Sequence, residues 1–113
     1  MARDEDGPQQ GARYRIRLMF EWGGGTLWCG NEAALERFDV GPIEERLPLS
    51  PETRRALDEL SLWHDRSLDW DDPTAPSPWT AEEDARFDEA AEELRATIQS
   101  ELGPKFEVVY RPL

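Results

Sequence analysis

From Tyr14 the chain alternates. Tyr14, Ile16, Leu18, Phe20 and Trp22 fall on one side, and Arg13, Arg15, Arg17, Met19 and Glu21 on the other. Period two over this length predicts a strand with one buried face and one mostly cationic face. Gly23, Gly24 and Gly25 interrupt it, and Thr26, Leu27, Trp28 and Cys29 read as a short returning strand. Near the C-terminus Phe106, Val108 and Tyr110 alternate with Glu107, Val109 and Arg111, predicting a closing strand. Its apolar face matches that of the first strand, so the two are expected side by side, with Glu107 opposite Arg13, Arg15 or Arg17. The pattern leaves the pairing direction open.

Between these strands the period changes. Asn31 suits the cap of a short helix running to about Glu36 and ending near Asp39 and Gly41. Gly41-Pro42 and Leu47-Pro48 mark the next segment as a connector. Ser50 followed by Pro51 starts a longer helix, because serine accepts an orphan backbone N–H and proline at the first position gives up no needed donor. Thr53, Leu57, Leu60, His64 and Leu68 form its stripe, with Ala56 and Trp63 at the edge and Leu62 off it. A stiff proline-rich loop follows from Asp72-Pro73 to Pro78. Thr80 to Glu83 then matches the capping box Thr-x-x-Glu. Phe87, Ala91, Leu94, Ile98 and Leu102 recur at helical spacing until Gly103 and Pro104 stop the helix.

This order predicts an α+β fold, a two-layer sandwich in which a small sheet of about three strands carries the two longer helices on one face. Residues 13–113 form a single domain, and Met1 to Ala12, polar and holding Gly7, Pro8 and Gly11, is a flexible tail. No apolar run is long enough to cross a bilayer, and the first residues lack the apolar centre of a signal peptide. Cys29, the lone cysteine, has no internal partner for a disulfide. A cytoplasmic protein is the expectation.

Charge sharpens the picture. The 113 residues carry a formal net charge of −12. Eleven carboxylates lie between Asp65 and Glu93 against only Arg66 and Arg86, so nine of the twelve net negative charges fall in that stretch. Such a field repels nucleic acid and anionic lipid and attracts cationic partners, so neither nucleic acid nor membrane is an expected partner. Glu82, Glu83 and Asp84 complement a helix N-terminus. Asp88, Glu89, Glu92 and Glu93 face one another at helical spacing and should repel. With Asp69, Trp70, Asp71, Asp72 and Trp79, they make up the candidate partner-binding surface, since tryptophan is enriched among interface anchors.

The chemical alternatives are thinner. The aspartates around Trp70 could suggest Ca²⁺ or Mg²⁺, but the spacing lacks the central glycine and terminal glutamate of an EF-hand loop, and Asx-type turns explain it. His64 and Cys29 are the only nucleophile–base candidates, and both sit in apolar surroundings without a supporting motif. Gly23 to Gly25 lack the Lys-Ser/Thr of a phosphate-binding loop. No catalytic residue, metal site or cofactor is therefore assigned.

The runs Leu47-Pro-Leu-Ser-Pro-Glu52, Leu68-Asp-Trp-Asp-Asp-Pro73 and Glu101-Leu-Gly-Pro-Lys-Phe-Glu-Val-Val-Tyr110 resemble a group of small acidic proteins of GC-rich Gram-positive bacteria. Twelve arginines against the single Lys105 fit such a source. The resemblance transfers no site residues. By size and charge, immunity proteins of toxin systems are an analogy. The expected function is a non-enzymatic binding module for a cationic protein, in concrete form an immunity protein or antitoxin covering a basic nuclease. The alternative is a soluble housekeeping or regulatory module, homodimeric through a sheet edge, whose acidity serves solubility only.

Overall fold

A computed structural model describes residues 12–22 and 24–112. The expected tail at residues 1–12 lies outside them apart from Ala12, as does Gly23 of the glycine turn. The elements are β1 (Tyr14–Leu18), β2 (Leu27–Cys29), α1 (Glu32–Phe38), a 3₁₀ turn (Glu44–Arg46), α2 (Pro51–Asp65), α3 (Ala81–Leu102) and β3 (Phe106–Tyr110). The fold is α+β, as the alternation and the helix signals imply.

The three strands form one sheet in the order β2-β1-β3. β2 runs antiparallel to β1, with Ile16 opposite Cys29, whereas β3 runs parallel to it, with Ile16 opposite Val108. Two parallel strands need a long crossover, and here the chain between them carries every helix among the described residues. Arg15 stands opposite Glu107, and Arg15 Nε donates to Glu107 Oε1 at 2.9 Å. β1 is shorter than the alternation. The Met19 N–H still reaches Thr26 O at 2.9 Å, and then a turn closed by Gly24 N–H to Glu21 O takes the chain away. Phe20 stays buried, but Trp22 is 43% exposed rather than core.

Ile16, Leu18, Leu27, Ile43, Leu47 and Ile98 are the largest fully buried side chains. Each such side chain removed from water contributes about 1.5–3 kcal/mol. Ile43, Leu47 and Leu49 belong to the connector, which therefore supplies core as well as linkage. Gly25 lets it approach, since a Cβ there would meet Pro42 at 2.3 Å.

Both long helices start where the caps require. Ser50 Oγ accepts from Thr53 N–H, and Thr80 Oγ1 from Glu83 N–H, each at 3.1 Å. α2 ends at Asp65, so Leu68 lies beyond the helix rather than on its stripe, and Leu62 is 63% exposed. α3 buries Phe87, Ala91, Leu94 and Ile98 and ends at Gly103, whose φ of 87° suits a residue without a Cβ.

Groups from outside the sheet close both of its edges. On β3, Gln99 Oε1 accepts from Val108 N–H at 2.8 Å, Gln99 Nε2 donates to Phe106 O at 2.7 Å, and Arg95 donates to Val108 O at 3.2 Å. On β2, Leu27 O accepts from Ile43 N–H at 2.9 Å, and Glu44 Oε1 accepts from Leu27 N–H at 3.1 Å.

Candidate partner-binding site

The acidic loop between α2 and α3 is built by its own carboxylates. Asp69 Oδ1 accepts from the N–H groups of Asp71 and Asp72, and Asp72 Oδ1 accepts from the Thr74 hydroxyl at 2.8 Å. These are Asx turns, the local bonding that suits aspartate to loops. No group of three or more His, Cys, Asp or Glu residues among the described residues is placed to hold a metal ion.

The two tryptophans of the candidate surface separate. Trp70 is 57% exposed, yet its indole N–H donates to Asp65 O at 2.8 Å, so an apolar ring is held in solvent by one hydrogen bond. Trp79 turns inward onto Trp63 and Phe87, with ring centroids 5.9 and 5.2 Å away. Trp70 thus lies on the surface, and Trp79 packs against the core.

The four helix carboxylates also divide. All are exposed, but Asp88 Oδ1 accepts the Tyr110 hydroxyl proton at 2.7 Å and Glu92 pairs with Arg95. Glu89 and Glu93 are left without a side-chain partner among the described residues. Mutual repulsion of all four, as their spacing implies, is therefore relieved at two of them by partners from β3 and from α3 itself. Burial, and after it the hydrogen bond to Asp88, makes the Tyr110 hydroxyl harder to ionise. Glu83 does not close a reciprocal capping box; its Oε2 accepts the Trp63 indole N–H at 2.9 Å. Glu101 reaches from the end of α3 to the start of α2, accepting from the Thr53 and Ser50 hydroxyls and Ser50 N–H, which hold its carboxyl below the usual range.

Beside this surface lies a cavity of about 440 Å³. Its aromatic walls are Phe20, Trp22, Trp79 and Phe87, with His64 between them. Trp22 stacks on His64 at 5.3 Å and 17°, and its indole N–H donates to Ser67 Oγ at 2.7 Å. His64 is only 6% exposed, and burial lowers its pKa. His64 Nδ1 and Trp79 Nε1 are both buried without a hydrogen-bond partner. Asp84, Asp88, Tyr110 and Arg111 complete the lining. The sequence did not signal this assembly: Trp22 and His64 read as core, and Tyr110 as the inner face of a strand.

Cys29 belongs to a different environment. It is buried on β2, donates to Asp39 O at 3.3 Å, and burial raises the pKa of its thiol, so the thiolate needed for nucleophilic chemistry is disfavoured. No helix among the described residues is long and apolar enough to cross a membrane.

No curated protein matches the sequence. A family model described as Serratia CdiI immunity protein-like matches residues 14–113, from the first residue of β1 to the end of the chain. The chain belongs to that family of immunity-protein-like sequences.

Proposed function

We propose that this protein is an immunity protein, acting in the bacterial cytoplasm, that neutralises a cationic toxin such as a nuclease by binding it. The family match over residues 14–113 carries the reading, and the surface supports it. Glu89 and Glu93 are unpaired members of a chain whose net charge is −12, and such a field accelerates encounter with a basic protein. Trp70, exposed yet hydrogen-bonded, offers an apolar anchor whose ordering cost is already met in the free protein. The homodimeric alternative loses support because the β3 edge is occupied by Gln99 and Arg95 and the β2 edge by the connector.

The test pairs this chain with a toxin fragment sought among the neighbouring genes. Cells expressing that fragment should survive only when this chain is co-expressed. Replacing Asp88, Glu89, Glu92 and Glu93 with amides should slow association at low salt and matter less at physiological salt. Trp70→Ala should raise the dissociation rate. Survival without this chain, or equal association for the amide variant under both salts, removes the acidic-docking reading.

A further inference from the structure

We infer that the cavity beside α3 is a seat for a guanidinium group, taking one arginine side chain of the toxin that the proposed immunity function requires. The inference rests on that function for its partner and on the cavity for its chemistry.

Size comes first. About 440 Å³ falls in the range of roughly 300–1,000 Å³ typical of ligand sites. The walls suit a flat cation, because the faces of Trp22, Trp79 and Phe87 carry negative π density and guanidinium stacks on such faces. Charge agrees. Asp84 and Asp88 line the cavity against Arg111, and the surrounding stretch from Asp65 to Glu93 carries a net charge of −9.

Hydrogen bonding completes the fit. Asp88, fixed by the Tyr110 hydroxyl, and Asp84 supply carboxylate oxygens that accept guanidinium N–H groups. Arg111 is the one lining charge that opposes a cation, which makes the proposal sensitive to sign.

The probe is acetyl-arginine amide, titrated into the full chain while the indole N–H resonances of the tryptophans are followed by NMR. Acetyl-leucine amide and acetyl-glutamate amide serve as comparisons. The arginine probe should move the Trp22 and Trp79 indole signals saturably at millimolar concentration. Asp84→Asn should weaken it about two- to fivefold and Arg111→Gln should strengthen it by a similar factor, the size of one half-exposed charge contact. Both substitutions are at exposed positions, and circular dichroism checks that the fold is kept. Reversed signs would mark an anion site and overturn the inference, as would equal response to the leucine probe or no saturable shift. Growth protection distinguishes failure of the guanidinium seat from failure of the immunity function. A chain that protects cells but ignores the arginine probe has lost only the seat. A chain that binds the probe but gives no protection keeps the seat and loses the immunity function.

Discussion

Gln99 stands in for a missing strand, and replacing it should show how much the sheet depends on it. Its side-chain amide accepts from Val108 N–H at 2.8 Å and donates to Phe106 O at 2.7 Å and Gly103 O at 3.2 Å. Gln99→Met keeps the length of the side chain and nearly the same helix propensity, so the loss of hydrogen bonds is isolated. Three bonds at about 0.5–1.5 kcal/mol each bound the effect at about 1.5–4.5 kcal/mol. Gln99 is half-buried, so water re-bonds part of the exposed backbone, and about 2 kcal/mol is expected. That is a large share of a domain stability of roughly 5–15 kcal/mol.

Urea denaturation should therefore show the midpoint falling by about 1 M with an unchanged slope. A second readout tests the edge itself. With Val108 N–H and Phe106 O released, β3 becomes a free template, so sedimentation should detect concentration-dependent self-association beyond that of the parent chain. A loss under about 0.5 kcal/mol, with the variant still monomeric wherever the parent is, would refute the idea that Gln99 closes the edge.

Leu94→Ala, at a buried position in the middle of α3, should cost about 2–5 kcal/mol in the same assay, through lost methyl burial and a residual cavity. Thr80→Ala removes the acceptor for Glu83 N–H and should cost about 0.5–2 kcal/mol, read as a lower melting temperature. For His64 the folded pKa lies below the ordinary 6.5, so the unfolded chain binds the extra proton first. Its contribution is complete above pH 6.5 and is lost as pH falls toward the folded value, and His64→Gln should flatten stability across that window. A variant whose stability falls as steeply as the parent's between pH 7 and pH 5 would remove His64 as the cause.

The parts of the fold legible in the sequence are those decided by neighbours along the chain. Alternation from Tyr14 marked β1, and Ser50-Pro51 and Thr80–Glu83 marked the two helix starts, because caps and periodicity are local. Glu107 against a β1 arginine was legible as well, though the structure, not the pattern, selects Arg15 from Arg13, Arg15 and Arg17. Direction was not, because an alternating strand exposes the same faces run either way. The core role of Ile43, Leu47 and Leu49 was hidden because a connector punctuated by prolines has no period to read. The cavity was the least legible feature. It gathers side chains from the segment after β1, the end of α2, the proline loop, the start of α3 and the end of β3, and no spacing along the chain encodes that meeting.

The same distinction governs the acidity. Counted along the sequence, the carboxylates look like one uniform charge, but the fold gives them separate tasks. Asp69, Asp72 and Glu101 bond backbone or hydroxyl groups at turns and caps, so their charge is already in use. Asp88 and Glu92 are held by Tyr110 and Arg95. Glu89 and Glu93, with no such bond among the described residues, repel their neighbours in the free chain, a cost each would shed on meeting a cation. Charge that stabilises the fold has found its partner inside the molecule. Charge left without one weakens the free protein, and on the immunity reading proposed above it is this remainder, together with the exposed Trp70, that would meet a basic toxin.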